Sequence, residues 1–135
     1  MRVTGLRRAH GLLVVQARIW GPLANDSVSL ALDTAATETL VKPDVLRRFG
    51  YRDEDAVRRT TITSAIGVEP GHLLVVERFA ALGFAVSAHL VHAHELPDQY
   101  DIDGLLGLRF LDLFDYTILS RRNEIAVELA STAST

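Results

Sequence analysis

Ser29-Leu30-Ala31-Leu32-Asp33-Thr34-Ala35-Ala36 is the stretch on which the fold turns. Val28, Leu30 and Leu32 alternate with Ser27, Ser29 and Ala31, the period of two of a half-buried strand. The apolar run then stops on a carboxylate, succeeded by a hydroxyl and two small residues. Asp is a poor strand residue and is seldom buried unless something holds it. Asp33 is therefore either a turn-capping group bonded to nearby backbone amides, or a working acid.

On the N-terminal side, Leu12-Leu13-Val14-Val15, Ala17 and Ile19 read as a strand over residues 10–20 that stops at Gly21-Pro22. Asn25-Asp26 makes a second turn before the strand that carries Asp33. On the C-terminal side, residues 37–41 are β-prone. Pro43 then opens a short helix over residues 44–49, closed by Gly50. Residues 51–59 are charged and read as a surface connection. Residues 59–63 and 73–76 read as strands of a hairpin whose tip, residues 64–71, contains Gly67, Pro70 and Gly71 and is longer than a minimal turn. Residues 79–86 and 88–94 supply further strand material, and residues 95–104 an acidic loop. Leu108, Phe110, Leu111, Leu113 and Phe114 fit a short helix. Residues 116–119 and 124–129 are strands around Arg121-Arg122-Asn123. No linker interrupts this order, which predicts a single domain over residues 1–135 with its core at about 10–129.

Composition narrows the function. A chain of 135 residues suits one domain that buries roughly two-thirds of the surface its unfolded chain exposes. With 48% hydrophobic and 23% charged residues, the chain is an ordinary globular one. A net charge of −3, from 14 basic and 17 acidic residues, argues against a general nucleic-acid partner. The absence of cysteine rules out disulfides and thiol catalysis. No apolar run reaches membrane-spanning length, and the basic N-terminus precedes too short an apolar run for a signal peptide. The expectation is a soluble, cytoplasmic protein with no membrane partner.

An apolar strand, a small-residue loop and a short helix occur twice, from Ser29 to Phe49 and from Leu90 to Phe114. The chain order is Asp33-Thr34-Ala35-Ala36 after a strand, a Gly/Pro-tipped hairpin, then Asp103-Gly104-Leu105-Leu106-Gly107-Leu108-Arg109-Phe110-Leu111 before a terminal hairpin. This order resembles the retropepsin-like aspartic proteases, in particular the small bacterial members, over nearly the whole chain. The resemblance implies a mostly β, closed acid-protease barrel with one or two short helices, working as a homodimer on a protein or peptide substrate without a cofactor. Asp33 would be the catalytic acid, one from each chain. Thr34 would hold the other chain's loop in register. Ala35, Ala36 and the hairpin residues Ile66, Gly67 and Val68 would contact substrate. Leu105, Leu106 and Gly107 would support the catalytic loop, and Ile125, Val127 and Leu129 would lie in the dimer sheet. The residue count supports the dimer that the resemblance implies. The chain has a single Asp-Thr, and a two-fold axis brings a residue beside its own copy.

The family has Gly where this chain has Ala35. Ala keeps the amide that bonds the Asp carboxylate but adds a methyl and loses easy access to positive φ. At an ordinary φ the change costs little; at positive φ it costs about a kilocalorie or more. The second reading is therefore a retropepsin-fold dimer that binds peptide or a partner protein without cutting it.

Other signals point to solvated faces. His92 and His94 lie two apart on a strand and share a face, a metal pair only if Glu95 or His72 joins them. The expectation is no metal. Asp98, Asp101 and Asp103 lack the ligand order of a calcium loop. The scattered Arg pairs read as surface, and no Gly-rich phosphate loop is present.

Overall fold

A computed structural model describes residues 1–64 and 67–130. Its strands are β1 (Arg2–Gly5), β2 (Arg7–Ala9), β3 (Leu12–Trp20), β4 (Asn25–Leu32), β5 (Thr39–Val41), β6 (Arg58–Ser64), β7 (Gly67–Ala81), β8 (Phe84–Ala93), β9 (Gly104–Leu106), β10 (Phe114–Leu119) and β11 (Glu124–Leu129). Helix α1 (Pro43–Arg48) comes after β5, and α2 (Leu108–Leu111) after β9. Strands β3-β4-β9-β5-β8-β7 are hydrogen-bonded in that order, and β7 pairs back onto β3, so six strands close into a barrel. β2 and β6 extend it at the edges of β3 and β7. The mostly β closed barrel with two short helices is the expected fold.

Helix α1 obeys its sequence signals, whereas α2 ends at Leu111 and Phe114, expected in that helix, opens β10. Pro43 stands in the first turn of α1, and Gly50 just past its end adopts φ +97°, a conformation glycine enters without strain. Val45 and Leu46 bury its inner face. The interior joins Phe79, Phe110, Ile19, Leu30, Leu106 and Ile125, all fully buried. Each such side chain contributes about 1.5–3 kcal/mol by leaving water.

Several expectations change. Residues 79–86 are not one strand: Leu82 and Gly83 adopt φ 57° and 84° and turn the chain between β7 and β8. Two positive φ values in a two-residue loop match the strand twist, and only Gly83 signalled it. The β6–β7 hairpin pairs as far as Ser64 with Gly67, so its tip is shorter than residues 64–71. Residues 2–9, a basic stretch in the sequence, form β1 and β2. Tyr51 belongs to the core and not to a surface connection. Its hydroxyl donates to the Trp20 carbonyl at 2.6 Å and accepts the Glu77 N–H at 2.8 Å.

That last bond marks a corner. On β8 the inward residues change from Phe84 and Val86 to His89, Val91 and Ala93, with Ser87 and Ala88 both exposed. Ala88 takes φ 53°, which shifts the strand by one residue and turns His89 inward.

A separate sheet, β1-β11-β10, packs against the barrel, with Phe114 4.9 Å from Phe84 between ring centroids. β11 is its central strand, so Ile125 and Val127 are spent on the chain's own core and cannot serve as interface side chains. Leu129, 56% exposed, remains available. Among the described residues no helix is long and apolar enough to cross a membrane.

Candidate active site

β9 lies between β4 and β5, parallel to the first and antiparallel to the second. The chain must cross the end of β9 to pass from β4 to β5, and residues 33–38 make that crossing. The Asp33 N–H donates to the Leu106 carbonyl at 3.1 Å. The Ala36 N–H donates back to the Asp33 carbonyl at 3.2 Å, and the Ala35 N–H donates to Asp33 Oδ1 at 2.9 Å. One carboxylate oxygen thus organises the turn, while Thr34 and Ala35 are exposed and Asp33 partly so. Ala35 is not among the residues with positive φ, so its methyl imposes no left-handed strain.

Beneath the loop, Gly107 is a close-approach glycine. A Cβ there would strike the backbone carbonyls of Glu38 and Ala36. Gly104 has the same role at the start of β9, where a Cβ would strike the Leu40 carbonyl. The first N–H groups of α2 have no side-chain cap; Leu108 donates to Ala36 and Arg109 to Thr37, both at 2.8 Å. The loop therefore caps the helix. Arg109 then returns its guanidinium to the Glu38 carboxylate through bonds of 2.5 and 2.6 Å. That hydrogen bonding holds the Glu38 carboxyl below its ordinary range against the opposing effect of burial, with Arg109, His92 and His89 adding charge attraction.

Thr39 and His89 are buried directly behind the loop, with Nε2 of His89 3.2 Å from Thr39 Oγ1. The imidazole stacks on Phe79 at 4.6 Å and meets the edge of Phe110 at 5.8 Å. Burial pushes its pKa down to about 4, with Glu38 opposing and Arg109 assisting.

The site residues read from the sequence fall in three places. Asp33, Thr34, Ala35 and Ala36 form the turn, with Leu106 and Gly107 directly beneath it. Leu105 points to the other face of the barrel wall. Strand register sets it in a row with Val14, Ala31, Leu40 and His92, two residues before Asp33 along β4. Gly67 and Val68 lie on β7, paired with Ser64 and Thr63; Ile66 is outside the described residues. Among the described residues no strand pairing joins β6 to the strands that carry the loop.

Among the described residues no group of three or more His, Asp or Glu side chains is arranged to hold a metal. His94 instead has Nδ1 2.7 Å from the Glu95 carbonyl. Asp98 pairs with Lys42 at 3.2 Å. Asp103 accepts the Ser29 N–H on Oδ2 and donates its own N–H to the Ser29 carbonyl, each at 2.8 Å. Glu38, Arg109, His89 and the structural role of Asp103 were not singled out by sequence reasoning. Their partners are 50 to 74 residues away in the chain, as the separations of His89 from Thr39 and Asp103 from Ser29 show.

A family model described as aspartyl protease matches residues 15–110, from β3 through Phe110. No curated protein matches the chain. Among solved structures, the fold is similar to the crystal structure of a retropepsin-like aspartic protease from Rickettsia conorii. The TM-score is 0.68 at 18% identity, covering 93% of this chain and 87% of that one. The matched span contains the Asp33 turn, the β6–β7 hairpin and the Gly107 crossing, and on that ground the chain belongs to the aspartyl protease family, with a retropepsin-like fold.

Proposed function

We propose that the protein is an aspartic endopeptidase that acts as a homodimer, with Asp33 of each chain meeting its copy across a two-fold axis. The observation that carries this reading is the Asp33 turn. It presents a carboxylate at the surface, fixed by the Ala35 N–H on one oxygen, inside the span that matches the family. Asp103, which leads into β9, is bonded to Ser29 and is not free to be the second member of a pair. A second copy supplies it.

Two carboxylates a few ångströms apart do not both ionise readily, so the pair holds one proton. The ionised member takes a proton from water as it attacks the scissile carbonyl, and the protonated member polarises that carbonyl. No covalent intermediate is needed. Thr34, exposed beside Asp33, bonds the partner loop. An extended peptide lies against Ala35 and Ala36 of the turn, with the hairpin at Gly67 and Val68 closing over it.

Peptide-library cleavage from pH 3 to 8, together with sedimentation, tests the proposal. Cleavage favoured in acid, absent in Asp33→Asn and second order in protein at low concentration supports it. A chain that binds extended peptides, cuts none and is unaltered by Asp33→Asn would establish the binding reading instead.

A further inference from the structure

We infer that Arg109 is a positioning residue for Asp33, acting through Glu38; the inference rests on the proposal that Asp33 is the catalytic acid. The geometry is a two-point hold from one residue. The Arg109 backbone N–H donates to the Thr37 carbonyl at 2.8 Å, and its guanidinium makes two bonds to the next residue's carboxylate, at 2.5 and 2.6 Å. Both points lie at the far end of the segment that Asp33 begins. At the near end the backbone is held by the end of β4, by the Asp33 N–H to Leu106 and by the turn closed on Ala36, whose carbonyl accepts the Leu108 N–H. Between these ends Thr34 and Ala35 are exposed and have no packing of their own. Where Asp33 stands therefore depends on how firmly residues 37 and 38 are pinned.

The surroundings fit positioning better than support. The Arg109 side chain is 51% exposed, and half-exposed ion pairs contribute little to folding. Its planar fork nevertheless meets a carboxylate that is only 15% exposed, a bidentate geometry a lysine cannot reproduce. Gly107 lets the pair form, since any Cβ there would push the Glu38 carbonyl off α2. A pair worth little to stability yet built at a close-approach glycine is a device for holding a shape.

The test is Arg109→Lys, Glu38→Gln and the exchanged pair Glu38→Arg/Arg109→Glu, each characterised by kcat, KM, Tm and backbone amide exchange. Positioning predicts that kcat falls roughly ten- to a hundredfold in Arg109→Lys, the scale set by small misplacements of a reacting group, while KM stays within about twofold. Tm should move by no more than about 4 °C. The exchanged pair restores Tm but not kcat, because a longer arginine at position 38 and a shorter carboxylate on α2 do not rebuild the original spacing, although the Thr37 carbonyl keeps its bond from the residue 109 N–H. In the same variants the Ala35 and Ala36 amides, which report the Asp33 turn, should exchange at least about tenfold faster while β8 amides do not. That readout needs no activity, so it stands even if the unmodified chain cuts nothing. Unchanged Ala35 and Ala36 exchange, or kcat recovering with Tm in the exchanged pair, overturns the inference.

Discussion

The barrel contains two similar strand–loop–strand units, and they use their acids differently. In the first, β4 leads through residues 33–38 to β5 and α1; in the second, β8 leads through residues 94–103 to β9 and α2. β4 runs parallel to β9 and β8 runs parallel to β5, so the two units interlock about a pseudo-two-fold axis between β9 and β5. The equivalence extends to single bonds. The Asp33 N–H donates to Leu106 and the His94 N–H donates to Val41, each at 3.1 Å. Asp33 and His94 are thus counterparts, and the difference lies in the loops that leave them. The first loop is strapped by the free N–H groups of α2. The second cannot be strapped in the same way, because α1 starts at Pro43, which has no N–H. The last of its acids, Asp103, bonds the Ser29 N–H. One backbone plan has become a presenting loop and a fastening loop.

Replacing the presented acid should break this contrast most sharply. Asp33→Asn should lower peptide cleavage by at least about a thousandfold, the scale of removing a group used only in the transition state, with Tm nearly unchanged. If Asp33→Asn instead unfolds the chain and keeps its activity per folded molecule, the first loop is a fastener as well and the contrast is lost.

The glycines of the crossing come next. Gly107→Ala and Gly104→Ala each force a methyl against a backbone carbonyl. Each should destabilise by roughly 3 kcal/mol or more, since backbone cannot move aside as a flexible side chain does. Urea unfolding measures it. Gly5→Ala, where a Cβ meets nothing within 4 Å, is the matched control.

Legibility in the sequence divides along the same line. The Asp33 strand, α1 and the Leu105-Leu106-Gly107 segment were readable because periodicity, Pro and Gly placement, and a run of small residues are local signals. The Leu82-Gly83 turn was not, because Leu is a rare choice where φ is positive. Nor was the corner at Ala88, an alanine held in a left-handed conformation with no glycine to announce it. Glu38 carries no local signal, because its partner Arg109 on α2 is 71 residues on. The inward turn of His89 depends on a one-residue phase shift that no short window reveals. Ile125 and Val127 read as interface residues because β1, which makes β11 a central strand, was hidden in a basic N-terminus.

His89, buried behind the presenting loop, ties stability to pH. Unfolded, an imidazole titrates near 6.5; folded, burial holds this one to about 4. Between those values the unfolded chain binds a proton that the folded chain refuses, so stability falls as the pH drops from about 6.5 to 4 and levels off below. The loss is roughly 3 kcal/mol, taking each pKa unit as about 1.4 kcal/mol. Tm against pH should therefore slope downward across that window, and His89→Gln should flatten it. A profile identical in both chains would mean that protonated His89 finds a partner, Glu38 being the carboxylate that acts on it.

Asp103→Ala should be milder. It leaves the Ser29 N–H without its acceptor in a half-buried position while the Asp103 backbone bond to the Ser29 carbonyl survives. A loss of about 1–3 kcal/mol in stability is expected. Activity per folded molecule should hold, the mirror image of Asp33→Asn. A fall in activity with stability intact would place Asp103 in the chemistry and make the two loops functional partners.

Ala35→Gly is the smallest expected change and the most informative about the family departure. Ala35 sits at an ordinary φ, so replacing it relieves no strain in the folded chain. It frees the unfolded chain instead, which should cost about 0.4–1 kcal/mol and a small drop in Tm. The amide that binds Asp33 Oδ1 is kept, so the turn should survive. Within one chain the methyl is exposed, and only a second copy or a bound peptide could crowd it. Cleavage by Ala35→Gly within a few-fold of the unmodified chain would mean that the dimer accommodates the methyl and that the departure is tolerated. An unmodified chain that cuts nothing beside an Ala35→Gly chain that does would locate the obstruction outside the single chain, at the two-fold axis or against the bound peptide, since the single chain offers no strain for glycine to remove.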